Sequence, residues 1–88
     1  MREDRGKEEQ VRKKELKTVV SFHTTTEALA MEEAGKNAGL DGRLIPVPRQ
    51  ITAGCGLAWC ETPEQRSRLE VLLREKKLKY DRIYELVI

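Results

Sequence analysis

Two cysteines, Cys55 and Cys60, are the thiols of this 88-residue sequence, and both fall in "RQITAGCGLAWC", residues 49–60. Gly54 and Gly56 flank Cys55. Glycines leave a neighbouring sulfur sterically open and allow backbone angles that other residues avoid. Their N–H groups can also form a small anion-binding nest. A thiol so placed points to thiolate chemistry: nucleophilic transfer or thiol exchange. Metal chemistry is weakly supported. Two cysteines and the single histidine, His23, do not complete a tetrahedral structural zinc site, and no metal or cofactor is expected. Ser21 with His23 makes no triad, because nothing orients the base. The C-x4-C spacing also differs from the C-x-x-C of thioredoxin-like redox sites.

The elements that must position these residues follow from pattern. "TVVSF", residues 18–22, is β-branched and aromatic, hence a strand. Thr24 stands three residues before Glu27, a capping box, and the helix runs to about Ala38 with Ala28, Met31, Ala34, Gly35 and Ala38 at helical spacing. Gly39 suits the left-handed position just past its end. Residues 42–48, "GRLIPVP", form the second strand, and Pro46 places it at a sheet edge. "LAWC", residues 57–60, is the third. Thr62, Pro63 and Gln65 signal a second helix start. That helix carries Leu69, Leu72 and Leu73 on one face, with Lys76 and Lys77 at its C-terminal end. "RIYELVI", residues 82–88, is the last strand. Residues 1–16 are charged and read as a disordered N-terminal arm, because they have little to bury against the entropy of ordering. Residues 17–88 form a single domain.

The order β-α-β-β-α-β, with right-handed crossovers, is met most simply by an α+β ferredoxin-like sandwich. It has a four-stranded antiparallel sheet, both helices on one face, and strands in the order 4-1-3-2. That topology sets the end of the first strand beside the start of the third. One rim should gather Cys55, His23, the hydroxyls of Thr24, Thr25 and Thr26, Arg49 and a helix N-terminus. Cations and helix N-termini favour the thiolate. Cys60 lies at the opposite rim, near the second helix start, which could acidify it as well. Five residues of extended strand span about 16 Å, whereas a disulfide needs Cα atoms within roughly 7 Å. Cys60 can therefore act as a resolving thiol only if Cys55 lies on a folded-back loop.

Each residue also has a structural reading. Cys60, beside Trp59 in a strand, reads first as a small buried hydrophobe. His23 reads first as a hydrogen-bonded structural histidine, Arg49 equally well as a solvated loop charge, and the two glycines as turn formers. Trp59 anchors the core. Cys55 is the position where a functional reading outweighs the structural one.

Composition excludes several classes. Charged residues make up 36% and hydrophobic residues 39%, with 17 basic and 15 acidic side chains and a net charge of +2. The signs are mixed along the chain and aromatics are few, so no nucleic-acid partner is expected. No apolar run approaches the roughly 20 residues that span a bilayer, and the N-terminus lacks the apolar stretch of a signal peptide. A cytoplasmic location is the default, where cysteines stay reduced.

"VVSFHTTTEALAMEE", "GRLIPVPRQITAGCGLAWC" and the closing "YELVI" resemble the small bacterial selenium/sulfur carrier protein-like domain family, over about residues 18–88. The chain lacks the Cys-Pro-x-Pro signature, near the start of a helix, that well-understood sulfur carriers use. The resemblance implies chalcogen carriage, with Cys55 accepting a persulfide sulfur or selenium and passing it to a partner. His23 and Arg49 would stabilise the anion, Gly54, Gly56 and Thr24 would line the site, and Cys60 would resolve. Donor and acceptor proteins would be the partners, and the protein a carrier or thiol-handling accessory rather than a classical enzyme. The alternative is a non-catalytic interaction or regulatory module with structural cysteines, which could form a homodimer through an edge strand.

Overall fold

The structure, a computed structural model, describes residues 14–52 and 54–88. Leu16–Ser21 forms β1, Thr25–Ala38 forms α1, Arg43–Pro46 forms β2 and Leu57–Glu61 forms β3. Pro63–Gln65 is one 3-10 turn leading into α2, Arg66–Glu75, and Arg82–Val87 forms β4. The protein is α+β, with two helices and a four-stranded antiparallel sheet. The strands lie in the order β2-β3-β1-β4, which is 4-1-3-2 read from the other edge. In the central pair Val20 stands opposite Trp59 and Ser21 opposite Ala58. Pro46 lies on an edge strand, where its missing N–H costs no ladder bond.

Strand alternation gives the sheet two unlike faces. Val20, Leu44, Trp59 and Ile83 share one face, where they pack with Phe22, Ala28, Met31, Leu69, Leu72 and Leu73. Both helices contribute to this core. The other face carries Val19, Ala58, Ile45, Tyr84 and Leu86, joined by Ile51 from the β2–β3 connection and by no helix residue. Helix α1 comes close to the sheet at Gly35. A Cβ there would stand 2.8 Å from Cη2 of Trp59, so only glycine fits without moving the ring.

Both helix ends are closed by left-handed residues. At the end of α1, Gly39 has φ of 77°, and Leu40 N–H bonds to the Gly35 carbonyl at 3.0 Å. At the end of α2, Lys77 has φ of 52°, and Leu78 N–H bonds to the Leu73 carbonyl at 2.9 Å. Both are Schellman closures.

Three sequence expectations shift. The first strand starts at Leu16 rather than Thr18, and Glu15 exchanges backbone bonds with Ile88 at 3.1 and 3.0 Å. Ordered pairing thus begins inside the segment assigned to the arm, because β4 supplies a partner for it. Residues 1–13 of that arm lie outside the described residues. The second strand is shorter than residues 42–48: after one more bond, from Val47 N–H to the Gly56 carbonyl, Pro48 begins a turn closed by Ile51 N–H. The Thr62 hydroxyl makes no cap bond. Gln65 N–H goes to the Thr62 carbonyl instead, at 3.0 Å, so the signal starts a 3-10 turn and α2 follows at Arg66.

Candidate functional site

The site grows from the end of β1. Phe22 drops into the core, and the chain reverses into α1 with Thr24 as cap, its hydroxyl accepting Glu27 N–H at 3.2 Å. The reciprocal arm of the expected box goes one residue further back. Glu27 Oε1 accepts the His23 backbone N–H at 2.8 Å and lies 3.2 Å from His23 Nδ1. These contacts with His23, the backbone bond first, hold the Glu27 carboxyl below the usual carboxylate range. His23 Nε2 faces Asp81 Oδ1 at 3.5 Å, just before β4. The imidazole, 58% exposed, is thus held between two carboxylates.

Cys55 enters from the other side. Its Sγ lies 3.8 Å from the hydroxyl of Thr25, the first residue of α1, and accepts Leu57 N–H at 3.4 Å. Gly54 makes the approach possible, because a Cβ there would sit 3.0 Å from the His23 carbonyl oxygen. The expected juxtaposition of the first strand's end with the start of the third is therefore present. The expected openness of the sulfur is not: Cys55 is 3% exposed and belongs to the helix-side core. The flanking glycines let the segment fold inward as readily as they would leave it open.

Of the other expected neighbours, the structure brings some to the thiol and not others. Thr25 and the first turn of α1 reach it. The His23 ring and Arg49 make no bond to it among the described residues. Arg49 is exposed in the turn after Pro48, and the Thr24 hydroxyl is used by the helix cap. Gly56 is open, with nothing within 4 Å of a Cβ placed on it. Sequence reasoning did not single out Leu57 N–H, which reaches the sulfur from two residues downstream, or Asp81, which the pairing of Ser21 with Arg82 brings to the same rim.

Cys60 lies on the opposite face of the sheet, in register with Val19 and Arg43. It is half-buried, and both cysteines are free thiols. Burial pushes the Cys60 thiol up, against an opposing pull from Lys17 and Arg43. This corrects the expectation of an acidified thiol, because desolvation outweighs the nearby cations. Cys55 belongs to the helix-side core and Cys60 to the other face of the sheet, so the structure does not bring the two sulfurs together. Among the described residues no cluster of His, Cys, Asp and Glu is placed to hold a metal ion, and no helix is long and apolar enough to cross a membrane.

Residues 17–85 match the family described as "Putative Se/S carrier protein-like". The chain belongs to this family. No curated protein and no solved structure matches it. In this Se/S carrier-like chain the matched region runs from the start of β1 into β4 and includes both cysteines.

Proposed function

We propose that this Se/S carrier-like protein takes a sulfane sulfur or selenium onto Cys55 and hands it to an acceptor protein, on a scaffold we read as ferredoxin-like. The observation that carries the reading is the polar setting of Cys55 Sγ, which accepts the Leu57 N–H at 3.4 Å and lies 3.8 Å from the Thr25 hydroxyl, at the positive end of α1. The Leu57 N–H and the helix start present their positive ends to the sulfur that would act as nucleophile.

In the loading step Cys55, as thiolate, attacks the terminal sulfur of a donor persulfide. A new S–S bond forms on Cys55. The donor's S–S bond breaks, and the donor cysteine leaves as thiolate with the electron pair. The proton released when Cys55 ionises goes to that thiolate or to water. No external oxidant or reductant is consumed, because the sulfane sulfur keeps its oxidation level. The same exchange in reverse unloads the protein to an acceptor. A reducing, cytoplasmic setting suits thiols kept free. Because Cys55 is sealed, loading requires the segment around Gly54 and Gly56 to open.

Mass spectrometry of the full chain after incubation with glutathione persulfide tests this. The expected product carries one added sulfur on Cys55, persists in Cys60→Ser and is lost in Cys55→Ser. An adduct on Cys60 alone, or none, would overturn it. The burial of Cys55 favours a second reading, an interaction module with structural cysteines, in which pairing along the outer edge of β4 gives a homodimer. That reading expects no sulfur adduct, and a dimer by sedimentation.

A further inference from the structure

The face of the sheet away from the helices has a composition of its own. Strand alternation places Lys17, Val19 and Ser21 of β1, Arg43 and Ile45 of β2, Ala58 and Cys60 of β3, and Arg82, Tyr84 and Leu86 of β4 on it. Its centre is apolar: Val19 and Ala58 are buried, with partly exposed Ile45, Tyr84 and Leu86 around them. Ile51 and Val47 from the β2–β3 connection and Ile88 after β4 pack over its centre, leaving Ile45, Tyr84 and Leu86 partly exposed, and both helices lie on the other side.

Its charge is one-sided. The strand residues that point this way include three cations, Lys17, Arg43 and Arg82, and no carboxylate. Lys17 Nζ is 3.4 Å from Glu15 Oε1, with Glu15 exposed at the sheet's end. Asp81, at the other end, is engaged by the Ser21 hydroxyl and His23. Arg49 adds a further exposed cation in the turn leading to Ile51. Chain-wide the charges nearly balance, at 17 basic against 15 acidic, so this bias belongs to the face and not to the composition.

We infer that the helix-free face of the sheet docks an acidic segment of a partner protein, its apolar side chains on the partly exposed Ile45, Tyr84 and Leu86 and its carboxylates on Lys17, Arg43 and Arg82. Complementary charge is what selects the occupant. A second copy of this chain would bring cations against cations, with carboxylates only at the sheet's ends and already engaged, Glu15 by Lys17 and Asp81 by Ser21 and His23. A nucleic-acid backbone would meet three scattered cations around an apolar centre, too few for a phosphate track. The inference does not depend on sulfur transfer, so peptide docking and persulfide loading fail independently.

The test uses isotope-labelled full-length protein and a synthetic amphipathic helix bearing a leucine stripe flanked by glutamates. Saturable shifts at Val19, Cys60, Tyr84 and Leu86 are expected. Reversal of Lys17, Arg43 and Arg82 to Glu should weaken binding by about tenfold or more, and added salt should weaken it too. A peptide with lysines in place of the glutamates should not bind. Shifts confined to the helices, equal binding of the lysine peptide, or insensitivity to charge reversal would overturn the inference. So would contacts from residues 1–13 to Tyr84 in free protein, a face-to-face dimer by sedimentation, or phosphatidylserine vesicles or a single-stranded oligonucleotide competing fully with the acidic peptide.

Discussion

Trp59 ties the sheet to α1, and two single-residue changes report on it. Alanine at Gly35 would gain about 1 kcal/mol of helix propensity. Against that, the added methyl would meet a ring that is 1% exposed and whose Nε1 donates to Glu61 Oε1 at 2.9 Å. Overpacking of this kind costs about 1–3 kcal/mol. Gly35→Ala should therefore lower stability in urea unfolding; an unchanged midpoint would mean the ring has room. Trp59→Phe removes the donor to a carboxylate that is 1% exposed and whose Oε2 already lacks a partner among the described residues. A loss of about 2–3 kcal/mol is expected, and Trp59→Phe with Glu61→Leu should lose less than the two single changes summed. The site was legible at this scale where register determines it: antiparallel pairing of β1 and β3 sets His23 and Thr25 near Cys55. The imidazole's preference for Glu27 and Asp81 was not, because it depends on β4 closing the rim. The burial of Cys55 was not, because glycine permits both an open and a closed turn.

The two helices end in the same motif with different residues at the left-handed position, and the difference is measurable. Gly39 holds φ of 77° at no steric cost, whereas Lys77 holds 52° with a Cβ. An L-residue there costs about 1–2 kcal/mol, offset by about 0.4–1 kcal/mol for the extra freedom glycine has when unfolded. Lys77→Gly should thus raise stability by about 0.5–1 kcal/mol, and Gly39→Ala should lower it by a similar amount. A thermal melt of each variant checks both signs; opposite shifts are required. Patterns with one dominant cause were readable from sequence: the β-branched run of β1, the Thr24 cap, the Leu69–Leu72–Leu73 face and Pro46 on an edge strand. Those decided by competition were not. Thr62 has the residue type of a cap, yet its carbonyl takes the N–H its hydroxyl would have taken. Leu16 stands next to a charged segment, yet pairing with Val87 extends β1 to it.

For the whole molecule, two carboxylates at opposite rims pin helix starts to strands. Glu27 joins α1 to the end of β1 through His23. Glu85 on β4 takes the Arg66 guanidinium at the start of α2 and the Thr18 hydroxyl at 3.0 Å. Arg66 foremost holds Glu85 below the usual carboxylate range, and His23 does so for Glu27. A carboxyl whose folded pKa is depressed contributes stability that is complete above its unfolded value, 4.5 for both groups. That contribution is lost as pH falls through the lower folded value. Both pins lie at the surface, Glu27 beside an exposed His23 and Glu85 itself exposed, which keeps each contribution modest and salt-sensitive. Urea midpoints should therefore be flat from neutral pH down to the unfolded carboxyl range and fall below it. Glu27→Gln with Glu85→Gln should lower the neutral plateau and flatten the acid limb relative to the parent chain. If the double variant keeps the full acid slope, other carboxylates carry it and the two pins hold nothing. If the neutral plateau alone drops, their bonds matter but their ionisation does not.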